Sequence, residues 1–203
     1  MNKMAWRAAA AAVVLASVGV AAAQAPQTVR VRGAIEKVDG NTVVVRAADG
    51  ADVTLTLTAN AQIVGVVKAT LADIKPGSFV GSAAMPQADG SQKALAVHIF
   101  PEAQRGTGEG FRAWDLRPNS TMTNATVAET VAGTDGQNIL VKYKDGEKKI
   151  AVGPECPIVT YAPGKLDELK PGAKIFINAA TKQADGTLSV PRINVGRDAA
   201  PPM

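Results

Sequence analysis

The chain is short of the residues from which most small sites are built. It holds one Cys, one His, four Phe, two Trp and two Tyr in 203 residues. A lone Cys156 excludes a disulfide within the chain, and the same count excludes any site made of several His or Cys ligands. The strands hold only Phe79, Phe100, Tyr143 and Phe176, scattered along the chain, so the stacking platforms of single-strand nucleic-acid binders are missing. Charge is no stronger a pointer. Lys and Arg number 22 against 18 Asp and Glu, and no basic stripe suggests a nucleic-acid partner. Only one long apolar run exists, which excludes a protein of several membrane spans.

That run lies at the N-terminus. Residues 1–7 carry Lys3 and Arg7 and no acid, residues 8–23 are mostly Ala and Val, and Ala21-Ala-Ala23 closes the segment. A basic start, an apolar middle and a small-residue end form the pattern of a secretory signal peptide, here 1–23. Cleavage after Ala25 would put Pro26 immediately beyond the scissile bond, so Ala23 is the preferred site. The apolar stretch falls short of the ~20 residues that a membrane span needs. The expected location is periplasmic, with no stable membrane insertion once the peptide is removed. No Cys near the cleavage site offers a point for N-terminal lipidation.

Beyond residue 23 the chain repeats itself. Asp39, Asp49 and Asp89 each precede Gly, and so do Asp135, Asp145 and Asp185, each 96 residues after its counterpart. Leu71-Ala-Asp-Ile-Lys-Pro-Gly77 returns as Leu166-Asp-Glu-Leu-Lys-Pro-Gly172, and Gln87-Ala-Asp-Gly90 as Gln183-Ala-Asp-Gly186. Val97-His-Ile99 aligns with Pro191-Arg-Ile193, which sets His98 against Arg192. The period exceeds that of solenoid repeats, so the reading is two duplicated domains.

Each half has the periodicity of strands. Val53, Leu55 and Leu57 alternate with threonines, Ile139, Val141 and Tyr143 with Leu140, Lys142 and Lys144, and Ile175 and Ile177 flank Phe176. Asp-Gly between such runs supplies the positive backbone angles of a tight hairpin. None of these loops has the ligand spacing of a calcium hand. The Leu-x-x-Ile/Leu-Lys-Pro-Gly element fits one helical turn stopped by Pro-Gly. The predicted fold is all-β: two tandem five-stranded OB-like barrels, 24–100 and 122–196, each with a helical turn between strands 3 and 4. An SH3-like barrel or a small open sandwich is the alternative. Residues 101–121 read as a charged, Gly-rich linker without strand alternation, and 197–203 as a loose tail.

Few residues carry chemistry. Gly106-Thr-Gly-Glu-Gly110 resembles a phosphate loop, but no helical period or Lys-Ser/Thr pair follows it. His98 has no nucleophile or base designated beside it. With Glu102 nearby it offers a ligand of a mixed N/O metal site, while a polar strand-end residue suffices to explain it. Cys156, in a Pro-rich turn, has no basic neighbour to activate it; an intermolecular disulfide is its other use. In the linker, Arg105, Arg112, Trp114 and Asp115 combine charge with an aromatic ring and are candidates for contacts in a cleft between the barrels. The plainer reading is that Phe111 and Trp114 pin the linker down.

Gly33-Ala-Ile-Glu-Lys-Val-Asp-Gly40, the Leu71–Gly77 motif and the Gln87–Gly90 hairpin resemble the exported bacterial domain of unknown function 5666, over residues 29–100, with a weaker copy over 122–195. The connecting stretch is similar to a two-copy proteobacterial subgroup whose members are often labelled permeases of metal ABC transporters. The resemblance implies a small barrel and export, and carries no activity or ligand. The expectation is therefore a non-enzymatic periplasmic binding or adaptor module, its partner an envelope protein or small ligand. No cofactor is called for. A metal-handling accessory using His98 and Glu102 is the alternative.

Overall fold

The computed structural model describes residues 27–133 and 136–202. Residues 1–26, which include the segment expected to be a signal peptide, the tip at Asp135 and Met203 lie outside the described residues. The described chain is all-β. Its strands are β1 (Thr28–Asp39), β2 (Thr42–Ala47), β3 (Asp52–Ala69), β4 (Phe79–Pro86), β5 (Gln92–Ile99), β6 (Gly110–Ala113), β7 (Thr121–Gly133), β8 (Gly136–Tyr143), β9 (Gly146–Val152), β10 (Ile158–Pro163), β11 (Lys174–Lys182) and β12 (Leu188–Gly196). Single 3₁₀ turns occupy Leu71–Asp73 and Leu166–Glu168, where the repeated Leu motif predicts them. Among the described residues no helix is long and apolar enough to cross a membrane.

Local chemistry explains the hairpins. Gly40, Gly50, Gly90 and Gly186 have positive φ, the conformation that glycine adopts without a Cβ penalty. Asp89 Oδ1 accepts from the Ser91 amide and hydroxyl at 3.0 and 2.6 Å, and Asp185 Oδ1 from those of Thr187 at 2.9 and 2.7 Å. These aspartates are occupied by turn formation.

Five strands close a barrel: β1 pairs with β2, β2 with β3, β3 with β12, β12 with β11, and β11 with β1. All these pairs are antiparallel except β3–β12, which is parallel. Inside it, Ile35, Val43, Val45, Leu55, Leu57, Ile175, Ile177, Val190, Ile193 and Val195 form an aliphatic core. The expected faces are confirmed here, since Leu55, Leu57, Ile175 and Ile177 are all buried.

The division into one barrel per half is corrected by these pairings. Strands β1–β3 belong to the first half, whereas β11 and β12 belong to the second. Five of the remaining strands repeat the pattern in reverse: β7–β8–β9 from the second half pair with β4 and β5 from the first. Gln92 and Lys93 of β5 run beside Ile150 and Ala151 of β9, which joins the ends of this second ring. Its core is again aliphatic, with Val80, Val97, Val127, Ile139, Val141 and Ile150. The helical turns cross over too. Leu169 packs into the barrel core and Ile74 into that of the second ring. Matching amides fix them: Gly172 N–H donates to Ile35 O and Gly77 N–H to Val127 O, both at 2.8 Å.

Strand length gives the physical reason. β3 runs for 18 residues, roughly 60 Å at the usual rise, well beyond one side of a small barrel. Its first part pairs with β2, while Val64–Ala69 continues outward and pairs antiparallel with β10. The chain therefore leaves its own barrel before the helical turn and delivers β4 and β5 to the other ring. In the second half the corresponding stretch is split into β9 and β10 at a segment holding Pro154 and Pro157, residues that interrupt a ladder.

Two more expectations are corrected. The linker contains a strand, because β6 pairs antiparallel with β7, Gly110 opposite Asn124 and Ala113 opposite Thr121. Pairing with β7 supplies the order that its own sequence pattern does not. The tail begins with anchored residues: the Arg197 guanidinium binds Glu168 at 2.7 and 2.9 Å, and Asp198 Oδ1 accepts from the Lys68 amide at 2.8 Å.

Candidate functional site

Barrel side chains alternate between core and outside, and on one flank of each ring the outside is not solvent. Phe176 stands between core residues Ile175 and Ile177, and Asn194 between Ile193 and Val195. His98 follows the core residue Val97. All three are outward-pointing yet buried, at 6%, 6% and 5% exposure. They lie where the two rings meet.

Register aligns these residues in rows. On the barrel, Arg32 of β1 is opposite Phe176 of β11, which is opposite Asn194 of β12. On the second ring, Asn124 of β7 is opposite Gly81 of β4, which is opposite His98 of β5. Directly opposed residues share a face. Gly81 is required there, because a Cβ would collide with the His98 imidazole. The register also corrects the alignment of the repeats: Val97 sits beside Ile158 as Ile193 sits beside Ile63. His98 therefore corresponds to Asn194, not Arg192.

The segment 101–121 closes the space between the rows. Arg105 folds back on Glu102, its Nε at 2.6 Å from Oε1, and also donates to Gly77 O and Thr126 Oγ1. Thr107 O accepts from Asn124 Nδ2 at 2.9 Å. Trp114 is fixed by the donation of its amide to Ser120 O at 2.8 Å, with the Ser120 hydroxyl at 3.1 Å from Trp114 O. The Arg30 guanidinium stacks 3.9 Å from the Trp114 ring centroid. Asp115 binds Arg32 at 2.8 Å and Arg30 at 3.2 Å. Burial works against the Asp115 charge, but these two guanidinium groups hold its carboxyl below the usual range. Gly106, Gly108 and Gly110 all have positive φ, so this glycine run shapes the turn into β6.

The result is a cavity of about 280 Å³ between linker and rings. Phe100, Trp114, Tyr161 and Phe176 give it aromatic walls, Gln104, Asn124, Asn178 and Asn194 give it amides, and Arg112 and Arg192 give it charge. Among the described residues no Asp or Glu lines it. The His98 ring packs 4.2 Å from Phe100 and 5.5 Å from Tyr161, centroid to centroid. Burial, with a smaller contribution from Arg112, lowers the His98 pKa to about 3, so the imidazole is neutral at ordinary pH. Burial pushes the Tyr161 phenol up to about 12. Larger hollows lie beside 87–95, where β5, β8 and β9 contribute to the lining, beside 167–174 and beside 68–72.

Of the sequence-predicted residues, Arg112, Trp114 and His98 meet at this cavity. Arg105 and Asp115 do not line it; they fasten its cover. Glu102 is exposed, and its two carboxylate oxygens both take donors from Arg105. Among the described residues no three His, Cys, Asp or Glu side chains gather as metal ligands, so His98 and Glu102 are not completed into a metal centre. Cys156 is half-buried, and burial raises its thiol pKa to about 11, away from nucleophilic use. Tyr161, Arg192, Asn124, Phe176 and Asn194 escape a reading of the sequence alone. The available signal was a bulky or amide residue at the outward position of a strand whose neighbours face the core. Comparison with family profiles, with curated proteins and with solved structures finds no match.

Proposed function

We propose that this chain is an exported, non-enzymatic binding module of the cell envelope, in which two OB-like barrels exchange strands and seat a small ligand between them. The observation that carries the reading is the cover. Residues 101–120 belong to neither ring, yet they add a strand to β7 and wall the cavity with Arg112 and Trp114. Cavities between such units are common ligand seats. The non-enzymatic part draws support from the buried, neutral His98 and from the raised pKa of Cys156, neither of which suits acid–base or nucleophilic work at neutral pH. The metal-handling alternative draws less support, because Arg105 occupies the Glu102 carboxylate.

Native mass spectrometry on gently purified protein tests the reading. A stoichiometric small-molecule mass on the wild type, absent from a folded Trp114→Ala variant, is expected. A bare mass for the wild type, or retention of the ligand by the variant, would contradict it.

A further inference from the structure

We propose that the cavity takes a small organic anion, its carboxylate held by Arg112 and Arg192 and its flat apolar body laid against the rings of Trp114, Tyr161 and Phe176. The inference rests on the cavity being a ligand seat and names what it seats.

Arginines carry the charge of this cavity. Among the described residues three are half-buried: Arg32, Arg112 and Arg192. Arg32 has Asp115 as its counter-charge. Among the described residues Arg112 and Arg192 have no carboxylate partner, and both line this one cavity. Removing a guanidinium from water without a counter-charge is costly, and Arg30 beside Arg112 adds to that cost. The present partners are neutral. Arg112 donates to Gly108 O at 2.8 Å. Arg192 reaches Asn194 Oδ1 and Gln104 Oε1 only at 3.5 Å, the outer limit of a hydrogen bond. Each guanidinium has five N–H donors in a planar fork, so both retain capacity for an incoming oxyanion.

Among the described residues that line the cavity, none carries negative charge. His98 is neutral and Tyr161 keeps its proton at ordinary pH. The guanidinium groups also sit near aromatic faces, Arg112 at 5.5 Å from Trp114 and Arg192 at 5.9 Å from Tyr161, which places charge beside apolar wall. A bare inorganic anion would leave those walls uncovered. At about 280 Å³ the space lies at the small end of ligand pockets, a scale that suits a compact organic ligand.

Calorimetry on the full chain with benzoate, benzamide and inorganic phosphate decides the matter. Benzoate is expected to bind one per chain and to exceed its neutral amide by about tenfold or more, the scale of a charge-assisted hydrogen bond. Arg112→Gln and Arg192→Gln should each remove that preference, with Arg112→Lys restoring part of it and circular dichroism confirming the fold of each variant. Equal binding of benzoate and benzamide, both lost in Trp114→Ala, would overturn the anion while leaving the seat intact. Phosphate binding more tightly than benzoate would overturn the organic body. No binding of any probe at millimolar concentration would overturn both the anion and the seat.

Discussion

Arg32, Phe176 and Asn194 on the barrel occupy the same lattice positions as Asn124, Gly81 and His98 on the second ring. The interiors of the two rings have stayed alike, aliphatic and closed by the same bulge: register shifts between Ile35 and Lys37 in β1 and between Val127 and Glu129 in β7. The rows that face each other have not. Val66 and Tyr161, which pair across the β3–β10 ladder, differ in the same sense, an aliphatic residue on one side and a cavity-lining phenol on the other. Two copies with equal cores and unequal facing rows show which positions packing dictates and which are free to acquire chemistry. The linker completes the asymmetry, since it covers the meeting of the rings with residues from neither repeat unit.

The comparison breaks most completely if the halves are parted. Residues 122–203 alone lack the strands that close either ring, so this fragment should show no cooperative monomeric unfolding by circular dichroism and size-exclusion chromatography. A folded monomer would refute the exchange. Next in size are paired core truncations. Ile177→Ala in the barrel and Ile150→Ala in the second ring should each lower stability by about 2–5 kcal/mol. Because every ring contains both halves, urea should still give one transition in each case.

The facing rows can be probed separately from the cores. Gly81→Ala pushes a Cβ into the His98 ring and should cost roughly 1–3 kcal/mol, part of it recovered when His98→Ala is added. The counterpart Phe176→Leu should show no such coupling to His98.

A further contrast is in pH. His98 has its folded-state pKa near 3, far below its ordinary 6.5. The unfolded chain therefore binds the proton first, and the stability associated with His98 is complete above pH 6.5 and lost as pH falls towards 3. At pH 5 the loss should reach at most about 2 kcal/mol, above the range where carboxylates titrate. His98→Gln should flatten the urea midpoint between pH 7 and 5, whereas Asn194→Gln should leave the slope as it is in the wild type. Smallest is Asp115→Asn, which releases two partly exposed pairs and should cost below about 1 kcal/mol while loosening Trp114, read as a shift in its indole NMR signal.

Much of the fold was legible because turn chemistry and alternation are local. The Asp-Gly hairpins, the helical turns and the core faces of β3, β8 and β11 follow from neighbouring residues alone. The exchange was not legible, since which copy of β11 and β12 closes the barrel depends on the path of β3, and both copies carry compatible cores. The strand β6 was hidden for a related reason, as its order comes from β7. At the site, Trp114, Arg112 and His98 stood out by rarity or by their place in a charged linker. Arg192, Asn124 and Asn194 did not, because an outward polar residue on a strand reads as solvent-facing until a second ring is set against it.

Everything said of the cavity depends on the halves being exchanged, and nuclear Overhauser contacts across the parallel β3–β12 pair test that most directly. Cross-peaks of Leu57 with Val190 and of Ile63 with Ile193, the observed register partners, are expected. Cross-peaks of Leu57 with Ala94 and of Ile63 with Val97, the equivalent positions in the first half's own β5, would mean that each half closes on itself and would contradict it.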